Sequence, residues 1–332
     1  MIDLRSADLH VSIDTARGGE IVFLGRPDGP NALFHEAWET PVPASRSMSY
    51  GDGTLDWLSH YRGGWQVMFP NAGDECTVDG VPHPVHGEVS SAPALVVDVT
   101  PTHAALRSPT RLPVVLERSI SIAPDRPAVL VEERIVNQSE RSVRYAWGHH
   151  PAFRATPAMR IDLPVGPVHF DGLALGPEPD RATGTWPTVE RRKGVLEVLD
   201  RLPDPPTERV FMLPERPAGW AALRDPETRT GIGVGWDVGA FPHLWLWQEL
   251  GGPGFPWFGR ASIVALEPVS IWPGDGLARA VERGQARTLE ARAGASAWIT
   301  VALFEATDRP VVDVRRDGRV ALADGDGTDR PR

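Results

Sequence analysis

Three segments of this 332-residue chain bring titratable side chains together with aromatic ones. The first, HYRGGWQVMFPNAGDECTVDGVPHPVHGEVSSAP, carries Arg62, Trp65, Asn71, Asp74, His83, His86 and Glu88. The second, YAWGHHPAF, carries His149 and His150. The third, FPHLWLWQELGGPGFPWFGRASIVALEPVS, carries His243, Trp245, Trp247, Gln248, Glu249, Arg260 and Glu267. Imidazole and carboxylate side by side can exchange protons with a substrate. Histidine titrates near neutrality, at about 6.5 when unperturbed, and a carboxylate in an apolar setting becomes a stronger base as its pKa rises. Glu267 follows the apolar run Ile263-Val264-Ala265-Leu266 and is expected at the end of a core strand, at the sheet rim or in a cleft.

Period-two alternation dominates the elements that must hold these residues. Val114, Leu116, Ile120 and Ile122 share one face of the run Pro113 to Ile122, and Val129, Val131 and Ile135 share one face of the next. Further strands are expected at Gly231 to Val238, His243 to Gln248, Ser262 to Leu266 and through Trp298 to Phe304. Turn signals separate them at Pro124-Asp125, Asn137-Gln138-Ser139, Asp225-Pro226 and Pro273-Gly274-Asp275-Gly276, and Asp317-Gly318 reads as a hairpin turn. Helical pattern is confined to Gly276 to Arg283 and a turn at His35 to Glu39. Pro164 to Pro187 reads as loop-rich. Strand after strand without helix-length crossovers excludes a doubly wound α/β fold and predicts an all-β sandwich. Residues 1–315 are expected to form a single catalytic domain, with a hairpin end and a frayed tail over 316–332. Because successive strand residues face opposite ways, His149 and His150 cannot both enter one pocket, and His86 aligns with Glu88 while His83 does not.

Composition narrows the function further. A net charge of −10 with no basic run argues against nucleic-acid binding, where clustered Lys and Arg supply the affinity. The single cysteine, Cys76, forms no intrachain disulfide and builds no thiolate zinc site. No apolar segment has transmembrane length and the amino terminus lacks a signal-peptide core, so a cytoplasmic location, away from membranes, is expected. Gly and Pro number 33 each and are spread through the chain, as many strands joined by turns require. Twelve tryptophans against three tyrosines is an unusual balance; most are expected in the core, yet flat indole faces also suit the apolar face of a sugar ring.

Read in order, Arg62-Gly63-Gly64, Phe69-Pro70-Asn71-Ala72-Gly73, His86-Gly87, His150-Pro151-Ala152-Phe153 and Leu266-Glu267-Pro268 resemble the motif series of the aldose 1-epimerase (galactose mutarotase-like) superfamily, from about residue 10 to 305. The resemblance implies a large twisted β-sandwich with an open cleft on one concave sheet. It implies that His150 is the general acid, Glu267 the general base, His86 a second active-site histidine and Arg62 a pocket arginine. Trp65, Asn71, Trp245, Trp247 and Gln248 are the further candidate sugar contacts. The Asp-His-x-Phe element of galactose mutarotases has no equivalent; Thr207-Glu208-Arg209-Val210-Phe211 stands roughly in its place, so galactose is not the sugar expected. Hexose-6-phosphate epimerases follow their His-Gly with Phe-Ala-Arg, whereas here the run is His86-Gly87-Glu88-Val89-Ser90.

The expected activity is therefore anomer interconversion of a free sugar by acid–base ring opening, with no metal or organic cofactor, in a monomer or homodimer. Two alternatives on the same scaffold are a non-catalytic carbohydrate-binding protein, suggested by Trp245, Trp247 and Trp257, and a hexose-phosphate epimerase using Arg260 or Arg154. A cupin-like metal site at His83, His86 and Glu88 is disfavoured, because the gap between the two histidines does not place them on one strand face.

Overall fold

The computed structural model describes residues 1–36, 51–170, 183–191 and 194–324. Among these residues strands follow strands, and the only α-helices are Gly53–His60 and Gly276–Glu282. Neither is long and apolar enough to cross a membrane. Among the described residues most strands form one sheet of twelve and one of eight, packed face to face, with three further two-stranded sheets, the all-β sandwich that the alternation predicts.

The inner faces supply the core. Val114, Leu116, Ile120 and Ile122 of strand Val114–Ile122 and Val129, Val131 and Ile135 of strand Ala128–Asn137 meet Leu244, Leu246, Val264 and Leu266 from the larger sheet. Two charged residues occupy the same inward register, Arg118 and Glu133, both buried. Arg118 Nε donates to Glu133 Oε1 at 2.8 Å and Nη1 donates to the Gly18 and Gly19 carbonyls. The other carboxylate oxygen accepts from Trp147 Nε1 at 2.9 Å and lies 3.3 Å from His149 Nε2. Burial alone would raise the Glu133 pKa, but His149, Arg118 and Trp147 together hold it below the ordinary carboxylate value.

The outer face of the larger sheet carries a second apolar layer. Met68, Ala152, Val210, Met212, Trp245, Trp247, Ile263, Ala265 and Val269 form its floor, and Tyr61, Trp257, Leu277 and Ala280 pack over it. Strand Ser262–Val269 runs three residues past its expected end, so Glu267 lies within the strand and not at its rim. Helix Gly53–His60 was not expected from the sequence. Eight residues are too few for a clear 3.6-residue pattern, and the helix relies on its cap, where Leu55 N–H donates to Asp52 Oδ1 at 2.9 Å.

The Asp317-Gly318 turn joins strands Val311–Val314 and Val320–Leu322, with Gly318 at φ 81°. Val311 and Val314 pack against Trp220 and Ala222 of the smaller sheet. A boundary at residue 315 would cut this hairpin, so the chain to residue 322 belongs with the sandwich. Within the expected loop Pro164 to Pro187, strands Pro167–Phe170 and Thr183–Thr185 add to the edge of the larger sheet, and residues 171–182 lie outside the described residues. Residues 37–39 of the expected turn and 325–332 of the expected tail also lie outside them.

Candidate active site

Strand register assembles the centre of the site. Trp245 pairs with Glu267, and Met212 pairs with Trp245. The pairs Gly148–Val269 and Ala152–Ala265 bracket His150 and set it opposite Glu267. His150, Glu267, Trp245 and Met212 thus form one transverse row across four neighbouring strands, all on the outer face.

His150 Nε2 lies 3.4 Å from Glu267 Oε1, and each residue is only 3% exposed. The Tyr61 hydroxyl is 3.2 Å from His150 Nδ1. Burial, with the Glu267 and Glu20 charges nearby, pushes the Tyr61 pKa well above that of an ordinary phenol, so the hydroxyl keeps its proton and can donate it to Nδ1. That arrangement leaves the neutral imidazole's own proton on Nε2, facing Glu267.

His86 reaches the same place from a turn, at φ 59°. Gly73 N–H donates to His86 Nδ1 at 3.1 Å, and His86 N–H donates to the Gly73 carbonyl at 3.0 Å. The neutral ring therefore carries its proton on Nε2 and offers it as a donor. Gly73 must be glycine: its φ is 81°, and a Cβ would stand 1.9 Å from the Gly274 carbonyl oxygen.

These groups line a cavity of about 240 Å³, together with Asp74, Glu208, Trp57, Trp245, Trp247 and apolar neighbours. This is below the roughly 300–1,000 Å³ of drug-sized sites and suits a single sugar ring. Desolvation governs its protonation. It raises the Glu267 pKa well above 4.5, lowers that of His150 to about 4, and holds His86 well below 6.5 with help from the neighbouring His150. Glu208 is also raised by burial, partly offset by a hydrogen bond from Trp247. In the uncomplexed cavity the His150–Glu267 pair accordingly holds one proton.

His150, Glu267, His86, Trp245 and Trp247 come together as candidates; four others do not. Trp65 faces the inter-sheet core, where its Nε1 donates to His149 Nδ1 at 3.2 Å. Gln248 faces the same way and accepts from Arg209 Nε at 2.6 Å. The alternation that parts His149 from His150 also parts Gln248 from Trp247. Asn71 is fully buried beneath the cleft. Its Nδ2 donates to the Asp74 and Pro84 carbonyls at 2.8 and 2.9 Å, and its Oδ1 accepts from Leu277 N at 2.8 Å, so it positions loops instead of touching a ligand. Arg62 is not among the described lining residues.

Three lining or supporting residues escaped the sequence reading. Trp57 and Tyr61 belong to the unexpected helix and its C-cap. Glu208 had a visible signal, since it shares strand parity with Val210 and Met212, making it a carboxylate on an apolar face.

The expected alignment of His86 with Glu88 fails because His86 and Gly87 both have positive φ and turn the chain. His83 Nδ1 lies 4.0 Å from Glu88 Oε2, while His86 points into the cleft. Among the described residues no group of three or more His, Cys, Asp or Glu is placed to hold a metal ion. A larger hollow of about 590 Å³ lies on the smaller sheet beside Trp298 and Arg316. Several of its charges pair with one another, Arg134 with Glu117 at 3.6 Å and Arg316 with Glu132, and no histidine is among its described lining residues.

A two-sheet antiparallel sandwich with a cleft on the larger sheet is the galactose mutarotase-like fold. Solved structures that share it include a galactose mutarotase-like protein from Lactobacillus casei, 20% identical, with 91% of this chain and 99% of that chain covered at a TM-score of 0.61. A galactose mutarotase related enzyme from Lactobacillus acidophilus is 15% identical, with 94% and 99% covered and a TM-score of 0.60. A galactose mutarotase-like protein from Clostridium acetobutylicum is 12% identical, with 92% and 95% covered and a TM-score of 0.58. At these identities the likeness is one of fold. No protein-family model and no curated protein sequence matches the chain.

Proposed function

We propose that this protein is an aldose 1-epimerase, accelerating the interconversion of the α and β anomers of a sugar, with Glu267 and His150 as its acid–base pair. The observation that carries the reading is the 3.4 Å approach of His150 Nε2 to Glu267 Oε1 in a cavity of single-sugar size walled by indoles.

Anomers interconvert through the open-chain aldehyde. The anomeric hydroxyl must lose a proton and the ring oxygen must gain one as the C1–O5 bond breaks. A pair sharing one proton can do both in a single event, avoiding a full oxyanion or oxocarbenium charge. The reacting form is the one in which the shared proton has moved from Glu267 to His150. Glu267 then takes the hydroxyl proton while His150 delivers its own to the ring oxygen, and the burial that disfavours this ion pair makes the carboxylate a stronger base and the imidazolium a stronger acid. The aldehyde turns about its C1–C2 bond and closes on the other face with the two roles exchanged. Each well-placed acid or base contributes about 10²- to 10⁴-fold. His86 Nε2–H would donate to a sugar oxygen, and Trp245 and Trp247 would present apolar faces to the ring. The chemistry calls for no cofactor.

Optical rotation tests this directly. Pure anomers of a panel of aldoses, freshly dissolved, should relax faster with the protein than in buffer; no acceleration across the panel overturns the proposal. The three indoles also suit a non-catalytic sugar-binding protein, and sugar binding by the wild-type chain without acceleration would establish that reading instead.

A further inference from the structure

The outward-facing row that holds the acid–base pair continues past His150. Gln66 pairs with His150, and the Ile21–Trp65 pair sets Glu20 opposite Gln66. Both side chains are buried, and neither is among the cavity's described lining residues. Gln66 Nε2 donates to Glu20 Oε1 at 3.5 Å. Gly64, at φ 82°, leaves room for this carboxylate, because a Cβ there would stand 2.4 Å from Glu20 Oε1. The fold thus holds a carboxylate beside the site that ring opening itself does not use.

Glu20 Oε2 lies 3.2 Å from Arg17 Nε. Arg17 stands in the turn between strands His10–Asp14 and Glu20–Gly25. That turn is anchored from below, where the Gly18 and Gly19 carbonyls accept from the buried Arg118. From it Arg17 Nη2 donates to the His60 carbonyl at 2.7 Å. His60 ends helix Gly53–His60, and the carbonyl end of a helix favours a cation. The next residue is Tyr61, whose ring stacks on Trp57 at 4.3 Å and whose hydroxyl is 3.2 Å from His150 Nδ1. None of the helix's own residues is fully buried, so a directed contact at its end bears on where it sits.

Building on the mutarotase reading, we propose that Arg17 and Glu20 are positioning residues, which clamp the end of helix Gly53–His60 and thereby hold the Tyr61 hydroxyl against His150 Nδ1. Glu20 aims the guanidinium, and the guanidinium holds the helix end. Without the clamp Tyr61 drifts from Nδ1, and a neutral imidazole is then free to carry its proton on either nitrogen, whereas only the Nε2 form points it at Glu267. Burial raises the Glu20 pKa to about 7, with Asp14 adding to the rise and Arg17, Gln66 and Arg62 opposing it, so the clamp is an ion pair above that value.

The test uses NMR anomer exchange of an accepted aldose at about pH 8, where Glu20 is ionised. Arg17→Gln and Glu20→Gln should each lower kcat by about 3- to 10-fold, the equivalent of one hydrogen bond, with KM within about 3-fold. In a Tyr61→Phe background the same substitutions should change kcat by less than about 2-fold, because the contact they protect is already gone. Unchanged kcat in both single variants, or effects that multiply in full with Tyr61→Phe, overturns the proposal. Arg17 is half-buried in a surface turn, so its variant carries the test if Glu20→Gln does not fold. Nitrogen-15 NMR of the His150 ring reads the same contact without turnover. Wild type should hold its proton on Nε2, and Arg17→Gln should show both neutral tautomers; an unchanged tautomer overturns the proposal. If no sugar is accelerated, the mutarotase reading fails separately, and the tautomer measurement alone decides whether the clamp acts on His150.

Discussion

Replacing Glu133 tests how the two sheets are joined beneath the site. Its carboxylate and the Arg118 guanidinium are each 1% exposed, so neither can turn to water when its partner is lost. Glu133→Leu leaves Arg118 with only the Gly18 and Gly19 carbonyls and removes the acceptor of Trp147 Nε1. Breaking a buried pair from one side costs about 3–5 kcal/mol, and an orphaned indole N–H adds about 1–3 kcal/mol. The sum, about 4–8 kcal/mol, is a large share of the roughly 5–15 kcal/mol that holds a domain folded. Glu133→Gln keeps the shape and one acceptor and should lose about 1.5–3 kcal/mol. In Arg118→Met/Glu133→Leu the stranded charge is gone, so at least about 2 kcal/mol of the single-variant loss should return. Urea unfolding followed by tryptophan fluorescence gives the three values, provided the slope with denaturant stays constant. A Glu133→Leu loss below about 1 kcal/mol, or a double variant no more stable than the single, would refute the reasoning.

Tyr61→Phe removes the hydroxyl facing His150 Nδ1, and kcat should fall about 5- to 100-fold with a smaller change in KM; an unchanged kcat would count against a positioning role. The pH–rate profile should be bell-shaped. Burial depresses the His150 pKa from 6.5 to about 4, so the ring stays neutral below pH 6.5 and activity is lost only as pH falls through about 4, when the pair takes a second proton. The alkaline limb follows loss of the shared proton from Glu267, whose pKa is raised, and should vanish from the residual activity of Glu267→Gln. Trp65→Phe should lower stability by about 1–3 kcal/mol through loss of the bond to His149 while leaving KM within about 2-fold, and a large rise in KM would return Trp65 to the cleft.

Much of the fold was legible because a half-buried strand writes its two faces into alternate residues. The inward faces of Val114–Ile122 and Ala128–Asn137 are the ones the pattern gives, while Arg118 and Glu133, charges in that apolar register, were not singled out from the sequence. His150 was separable from His149 by the same rule, yet Gln248 was grouped with Trp247 although parity sets them apart. Strand ends were less legible, since Leu266 to Val269 continue a strand through a proline that reads as a stop. Helix Gly53–His60 was missed because its stability comes from a cap and from contacts made by Trp57 and Tyr61, which a short window does not reveal. His86 was placed in the site by motif resemblance alone, because its orientation depends on a left-handed turn and on Gly73, sixty or more residues from the strands it faces.

The central claim is that Glu267 and His150 together move the protons of ring opening. Its most direct test is the anomer exchange rate of an accepted sugar, measured by NMR in wild type and Glu267→Gln, with binding of the same sugar followed by calorimetry. The account predicts exchange slowed by about 10²-fold or more while the sugar still binds. Exchange at the wild-type rate in Glu267→Gln would contradict it.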